Sequence, residues 1–168
     1  MNSLEKEFLE RIDKHKGIIY KISKMYMDNI DDQNDLFQEI VYQIWKSYSL
    51  FQGKSEFSTW LYRVAINTAI IFLKSEKKRS HIQNEDVSIY KIKSDEYNRD
   101  EEEKLKTMYL CIQKLSPIDK ALIFYYLEDY SGKEIAKELA ISEVNARVKL
   151  NRAKEKLKLL IEKTHPNF

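Results

Sequence analysis

The sequence is poor in the residues that make tight turns and cross-links. Its 168 residues include three glycines, two prolines and one cysteine. This composition, with abundant Leu, Ile, Lys and Glu, favours helices and disfavours a turn-rich sheet protein. The single cysteine, Cys111, excludes an internal disulfide and a cysteine-based zinc site, and its expected role is that of a small buried hydrophobe. We therefore predict an all-α protein from a reducing compartment.

Long apolar runs, metal-ligand clusters and phosphate loops are also missing. No apolar stretch approaches the roughly 20 residues that cross a bilayer, and glutamates occupy the N-terminus where a secretory signal would be apolar. The three histidines, His15, His81 and His165, lack metal-ligand spacing, and no nucleophile has an evident base partner. We expect a cytoplasmic protein without membrane insertion, and no metal, cofactor or catalytic residue.

The net charge is small, but the charged residues are unevenly distributed along the chain. The formal net charge is +2, yet Arg147 to Lys163 holds seven basic residues against two acids, and Lys74 to Arg79 holds four against one. Between Glu85 and Glu103, eight acids stand against three basic residues. Because the distribution matters more than the sum for a polyanionic partner, the order basic, acidic, basic is the relevant feature.

The N-terminal half contains three segments with apolar residues at helical spacing. The stripes comprise Leu4, Phe8, Ile12, Ile19, Ile22 and Tyr26, then Phe37, Ile40, Val41, Ile44, Trp45 and Tyr48, and finally Phe57, Trp60, Leu61, Val64, Thr68, Ile71 and Phe72. The first stripe is interrupted only at Gly17, so one helix and a helix pair are both possible. Between the second and third stripes, Phe51 to Ser58 is predicted to be a loop that ends at a capping serine.

The segment from His81 to Glu103 is polar, acidic and without periodicity, as in a linker. We therefore predict two small helical domains, residues 1–80 and 104–168, joined by an acidic linker, 81–103. In the second domain a helix near Glu101 to Leu115 precedes three start signals. These are Ser116-Pro117, the capping box Ser131 to Glu134, and Ser142.

The last two start signals produce a short helix, a tight turn and a long basic helix, which is the helix-turn-helix pattern. Opposite the predicted core stripe, the long helix presents residues suited to base edges: Val144, Asn145, Val148, Asn151 and Arg152. Arg147, Lys149 and Lys154 flank this face and suit phosphates. The alternative is that these charges merely solvate a terminal helix.

The third helix has a second face that its packing stripe does not explain. Its members recur at helical spacing: Thr59, Arg63, Ile66, Asn67, Ile70, Lys74, Lys77 and Lys78. The lysines can neutralise phosphates, and the Asn67 amide can donate to and accept from a base edge. Phe51, Phe57 and Trp60 could stack on unpaired bases, although each taken singly is more typical of a core residue.

Two segments of the N-terminal half, Asp35 to Trp45 (DLFQEIVYQIW) and Phe57 to Asn67 (FSTWLYRVAIN), closely resemble region 2 of extracytoplasmic-function sigma factors, within the sigma-70 family. Ser131 to Lys154 resembles their region 4. The two resemblances follow one another in the order typical of this family, with the acidic segment between them. A helix-turn-helix without the other segments would be far less specific.

The resemblance implies partners and sites. Asp35, Gln38, Glu39 and Gln43 match positions that meet the clamp helices in the largest subunit of core RNA polymerase. Asn67 and the loop from Gly53 to Ser58 match the elements that read and hold a flipped base of the minus-10 promoter element. Two further sets of residues are assigned to promoter DNA. The set for the minus-10 element is Arg63, Lys74, Lys77 and Lys78. The set for the minus-35 element is Asn145, Arg147, Val148, Lys149, Asn151 and Arg152. An anti-sigma factor is a further implied partner.

The sequence departs from the family pattern at several positions. Ala140 stands where glycine is usual in the turn, and a left-handed backbone there would cost about 1–2 kcal/mol. Asn145, Ala146 and Val148 replace commoner Thr, Val and Ser, and Ile70 replaces a polar residue. Promoter preferences therefore cannot be transferred from relatives.

Two other functions compete with this interpretation. A helix-turn-helix repressor or activator that does not bind polymerase would explain the C-terminal half, but not the Asp35 to Trp45 pattern or the second face of the third helix. A helical enzyme would need the chemical groups that the sequence lacks.

Overall fold

A computed structural model of the chain describes residues 1–80 and 99–168, and the side chains of 77–80 are outside its description. The described residues form seven α-helices and one 3₁₀ turn, with no strand among them. They group into two compact units, here called the N-terminal unit, 1–80, and the C-terminal unit, 99–168. The all-α prediction is confirmed. Residues 81–98, which hold most of the predicted linker, lie outside the description.

The N-terminal unit consists of α1 (Ser3–Tyr26), α2 (Ile30–Ser47), the 3₁₀ turn Tyr48–Leu50, and α3 (Phe57–Ser80). Helix α1 is one helix that runs through Gly17, and it begins with a capping box between Asn2 and Glu5. The three helices pack against one another around branched side chains that solvent does not reach. These include Ile19, Ile22, Leu36, Ile40, Ile44 and Leu61.

Three sequence-based expectations for this unit are wrong. Ser58 is not a cap, because α3 begins at Phe57 and Ser58 lies inside its first turn. Ile66, assigned to the second face of α3, is 1% exposed, whereas Ile71, assigned to the core, is 69% exposed. The core side of α3 also includes Ala65 and Ala69. Helix α3 is in contact with both α1 and α2, so its buried surface is centred differently from the apolar stripe.

The C-terminal unit consists of α4 (Arg99–Gln113), α5 (Pro117–Leu127), α6 (Gly132–Leu139) and α7 (Glu143–Thr164). Its three predicted start signals are confirmed: the hydroxyl groups of Ser116, Ser131 and Ser142 each accept a hydrogen bond from the backbone three residues later. Helix α5 is buried along much of its length. The core comprises Cys111, Ile112, Ala121, Leu122, Ile123, Phe124, Tyr125, Ile135, Ala136, Ala146 and Ala153. Cys111 is thus the buried hydrophobe that the sequence predicted.

Candidate functional sites

The exposed side of α2 borders an open groove of about 530 Å³ between α2 and α3. Asp35 and Gln38 are exposed, and Glu39 is half-buried beside them. Four further residues line the groove: Asn34, Tyr42 and Glu76, which the sequence did not single out, and Phe72, which it assigned to the apolar stripe of α3. Three carboxylates among two aromatic rings suit a cationic partner with some apolar surface.

Gln43, the fourth residue of this predicted set, lies one turn beyond Glu39 and outside the groove lining. Its amide Nε2 donates a hydrogen bond to Glu39 Oε1 at 2.8 Å. Gln43 therefore holds the Glu39 carboxylate in place, and the structure brings the predicted set together along one side of α2. Tyr42, which is 56% exposed, could have been found in the sequence because it lies outside the apolar stripe of that segment.

The second face of α3 is present, although smaller than predicted. Arg63, Asn67 and Lys74 are exposed at spacings of four and seven, so they lie along one side of the helix. Lys77 and Lys78 were also predicted to belong to this face, and their side chains lie outside the described part of the structure. The face therefore combines an amide, which can donate to and accept from a base edge, with cationic groups on either side of it.

The loop before α3 is enclosed at both ends by aromatic rings. Residues 52–56 are exposed, and Gly53 has a φ of 68°, a left-handed conformation that glycine adopts without a Cβ clash. The Phe51 ring centroid lies 5.6 Å from that of Phe57 and 5.1 Å from that of Trp60. Phe57 is buried, whereas Phe51 and Trp60 are half-buried. The rings pack together, as core residues do, and Phe51 and Trp60 keep an accessible surface, so stacking on unpaired bases stays a prediction.

Helices α6 and α7 form the helix-turn-helix, and Ala140 lies in its turn with φ 53° and ψ 45°. This left-handed conformation confirms the suspected strain at a residue with a Cβ. Its backbone N–H still closes the end of α6 on Ala136 O and Lys137 O. The Ile141 N–H donates to Ala136 O at 3.0 Å, so the turn keeps helix-terminating hydrogen bonds despite the substitution.

The predicted DNA face of α7 is the exposed one. Its members are Asn145, Arg147, Val148, Asn151 and Arg152, with Lys149 half-buried on the flank. On the opposite side, Ala146 and Ala153 are 1% and 0% exposed. Such small side chains allow α7 to pack close to the other helices of this unit, and the face that solvent reaches follows from that packing.

Two lysines of α7 attach it to α5. Lys156 Nζ lies 2.9 Å from Asp119 Oδ2, and the Asp119 side chain is only 12% exposed. Lys154 Nζ lies 4.5 Å from the centre of the Tyr126 ring, a cation–π arrangement. Lys154 was predicted to flank the DNA face as a phosphate contact, and in this structure its ammonium group is placed over Tyr126.

Comparisons with known proteins agree with this geometry. The sequence profile of sigma-70 region 2 matches residues 11–79, and that of sigma-70 region 4 matches residues 105–157. The chain is 23% identical over 153 residues to the RNA polymerase sigma factor SigV of Bacillus subtilis, a match that covers 90% of this chain and 89% of SigV. It is 25% identical over 167 residues to the ECF RNA polymerase sigma factor SigX of the same organism, covering 95% and 86%.

The chain belongs to the sigma-70 family, as an extracytoplasmic-function sigma factor. Its fold is also similar to that of the sigma factor RpoE from Bartonella quintana, solved in complex with the anti-sigma factor NepR. That match has a TM-score of 0.69 at 17% identity and covers 94% of this chain and 98% of RpoE. A sigma factor binds core RNA polymerase and directs initiation at promoters, and the family as a whole is not one of enzymes.

Within its described residues the sigma factor has neither a metal-ligand cluster nor a membrane-spanning helix. No group of three or more His, Cys, Asp or Glu side chains is arranged to hold a metal ion there. No helix in residues 1–80 or 99–168 is long and apolar enough to span a bilayer.

Proposed function

We propose that three surfaces of this sigma factor carry its function. The side of α2 with Asp35, Gln38, Glu39 and Gln43 binds the clamp helices of the polymerase. The exposed face of α3, with residues 53–58, which comprise the end of the loop and the first two residues of α3, reads and holds the minus-10 element. The exposed face of α7 reads the minus-35 element. The chain acts in the cytoplasm, catalyses nothing itself and is not a regulator independent of polymerase.

The observation that carries this proposal is the coincidence of each assigned set with a solvent-exposed face. Most of the assigned residues are exposed, whereas apolar neighbours on the same helices are buried. The exposed ones are Asp35, Gln38, Arg63, Asn67, Lys74 and five of the six assigned α7 residues. Charged and amide groups on a rigid helix face are what phosphate and base-edge contacts require. The acids that line the α2 groove carry the charge opposite to that of the α3 and α7 faces, so they suit a protein partner and not DNA.

An anti-sigma factor is part of the proposal. The similar RpoE structure holds an anti-sigma factor. We propose that a protein of this class binds the present chain and masks its polymerase and DNA surfaces. When the chain is purified as a complex with a candidate anti-sigma factor, it should not support transcription in the reconstituted system. Adding excess free chain should restore transcription.

The polymerase surface can be tested by charge reversal. Replacing Asp35 and Gln38 with Lys should weaken binding to core polymerase in a pull-down, because both side chains are exposed beside the acidic groove. The free energy of unfolding should stay within about 0.5 kcal/mol per site, the usual range for surface changes. Glu10→Lys is the matched control, since it reverses an exposed acid on α1. Unchanged affinity in the double variant would refute the assignment.

Promoter recognition is tested with reconstituted holoenzyme on genomic DNA. Mapping the 5′ ends of transcripts should reveal a shared minus-10 and minus-35 sequence upstream of the start sites. Replacing Asn67 with Ala should alter the tolerated minus-10 bases and leave the minus-35 sequence unchanged. A chain that yields no specific starts with core polymerase would instead favour a helix-turn-helix regulator.

A further inference from the structure

A polar stripe of α1 contacts the aromatic residues on either side of the exposed loop 52–56. Its members, Glu7, Arg11 and His15, are spaced by one helical turn. The Tyr48 hydroxyl group donates a hydrogen bond to Glu7 Oε1 at 2.9 Å, and Arg11 Nη2 lies 3.0 Å from the same oxygen. Because burial and the bond to Glu7 both keep the proton on the phenol, the pKa of Tyr48 is raised. This carboxylate therefore joins α1 to the turn that precedes the loop.

The Arg11 guanidinium group lies beside two rings that are in contact with each other and belong to opposite ends of the loop. Its carbon Cζ is 5.6 Å from the centre of the Phe51 ring and 5.2 Å from that of Phe57. The backbone oxygen of Arg11 also lies 2.7 Å from His15 Nδ1, and the His15 ring is 5.1 Å from that of Phe57. One arginine thus touches the last residue before the loop and the first residue after it.

These contacts do little for stability as such. The side chains of Arg11 and Glu7 are 37% and 52% exposed, and an ion pair at that exposure contributes little to the free energy of unfolding. What the arrangement supplies is geometry, because a broad planar guanidinium can stack on one ring and still reach a second, perpendicular ring while its edge is held by a carboxylate. The five loop residues between the rings are exposed, so the positions of Phe51 and Phe57 set where the loop begins and ends.

We propose that Arg11, held by Glu7, is a positioning residue for the loop 52–56. It fixes Phe51 and Phe57 relative to each other, so that the loop keeps the conformation in which it holds an unpaired minus-10 base. Arg11 acts through these rings and does not itself contact DNA. The inference rests on the proposed function of this loop.

The conformational effect can be measured without DNA. The chain has two tryptophans, so a Trp45→Phe background leaves Trp60, whose ring lies 5.1 Å from that of Phe51, as the reporter. Arg11→Ala in this background should shift Trp60 emission to the red and increase its quenching by acrylamide. Lys16→Ala is the matched control, because it removes an exposed α1 cation whose ion-pair partner is Asp13. The control should leave Trp60 unchanged.

The functional effect is measured with holoenzyme on a library of minus-10 variants. Arg11→Ala should lower discrimination at the held base about fivefold, the factor that loss of a cation–π contact of middling strength gives. Core binding and minus-35 preference should not change. Arg11→Lys retains the cation but not the planar stacking, so it should fall between the wild type and Arg11→Ala. It also serves as the test variant if Arg11→Ala fails to fold.

Failure of the positioning role of Arg11 and failure of the proposed function of the loop give different results. If Trp60 emission and quenching are unchanged in both Arg11 variants, the inference is overturned, because Arg11 does not position the loop. If Trp60 responds while minus-10 discrimination stays at the wild-type level, the loop is not the base-holding element, and its proposed function is overturned. A change in discrimination equal to that of Lys16→Ala would also overturn the inference, since any lost surface cation would then suffice.

Discussion

The two units present their candidate DNA surfaces by different means. In the N-terminal unit the exposed loop 52–56 is held at its ends by side chains from α1 and α3. In the C-terminal unit the surface is one face of α7, directly opposite Ala146 and Ala153. The first surface has a shape that depends on residues distant in the sequence. The second has a shape that the helix itself provides.

This difference predicts different sensitivities. A loop that bears function on a rigid scaffold can change conformation while the scaffold stays folded. A recognition helix reads its groove as a rigid body, so specificity changes when the exposed side chains themselves are replaced. Substitutions in the core should therefore unfold the unit concerned, and those at the two surfaces should alter recognition with little loss of stability.

The largest expected effect comes from the core of the N-terminal unit. Leu36 is 0% exposed, and Leu36→Ala should lower the free energy of unfolding by about 2–5 kcal/mol through lost burial and the remaining cavity. Both tryptophans, Trp45 and Trp60, lie in this unit, so their fluorescence during urea denaturation reports it selectively. Leu9→Ala, at a leucine that is 52% exposed, is the control and should cost no more than about 0.5 kcal/mol. Equal losses in both variants would place Leu36 outside the core.

Leu36 also shows that the apolar spacing of α2 did not predict which of its faces is buried. The predicted stripe of α2 began at Phe37, but the buried set is Leu36, Ile40 and Ile44, since α2 contacts both α1 and α3 and is buried on a differently centred face. The helix starts of the C-terminal unit were predictable, because a cap such as Ser131 acts within three residues of itself, whereas the predicted cap Ser58 in the N-terminal unit was wrong. The exposed face of α7 was predictable too, from its spacing alone.

Contacts between distant segments could not be predicted in this way. Glu7 and Tyr48 are separated by 41 residues, and their hydrogen bond depends on how α1 packs beside the end of α2. The spacing of Glu7, Arg11 and His15 by one turn was a visible signal of a polar stripe, but nothing in the sequence indicated its aromatic partners. The part of the groove that α3 contributes, Phe72 and Glu76, was missed for the same reason.

The next effect in size separates base reading from phosphate binding on α7. Asn145→Ala or Asn151→Ala should change the tolerated minus-35 bases, with about 1–3 kcal/mol of discrimination at risk for a good bidentate contact. Lys149→Ala should weaken binding to all sequences equally and lower the salt slope by about one. Both asparagines are exposed, whereas Lys149 is half-buried on the flank of the face.

This contrast is measured with holoenzyme on a library of minus-35 variants at two salt concentrations. If Lys149→Ala shifts base preference while both asparagine variants leave it untouched, the reading face of α7 is wrongly assigned. Glu162→Ala, at an exposed residue in the last turns of α7, is the control and should leave both preference and salt slope close to wild type.

A smaller effect of opposite sign is expected in the turn of the helix-turn-helix. Ala140→Gly relieves a left-handed conformation that costs about 1–2 kcal/mol, against about 0.5–1 kcal/mol of added chain entropy. The net expectation is a gain of about 0.5–1 kcal/mol, seen as slower hydrogen exchange in α6 and α7. Ala136→Gly, in the middle of α6, should instead cost more than about 1 kcal/mol, because Ala136 is buried and the loss of its methyl group adds to the propensity cost of glycine. Destabilisation by both glycines would argue against strain at Ala140.

The smallest effect concerns the capping box at the start of α6. Glu134 Oε2 accepts a hydrogen bond from the Ser131 N–H at 2.7 Å, and this bond, followed by the interaction with the Ser131 side chain, lowers the pKa of Glu134 below its ordinary value of 4.5. A carboxyl group whose pKa is lower in the folded state stabilises that state above its unfolded pKa. The contribution is lost as the pH falls through the folded value.

Glu134→Gln keeps an acceptor for the Ser131 N–H but cannot titrate, so stability at neutral pH should change little while its decline in acid becomes shallower. Hydrogen exchange of the α6 and α7 amides, compared between wild type and variant at neutral pH and at values around and below 4.5, measures the difference. Glu155→Gln removes the same charge from the middle of α7, where it cannot cap a helix, and it controls for net charge. If the decline of stability in acid becomes equally shallow in both variants, general charge repulsion and not the capping box is responsible. A flattening confined to Glu134→Gln shows that the start of the helix-turn-helix is held by a local bond, unlike the loop of the N-terminal unit, which depends on distant side chains.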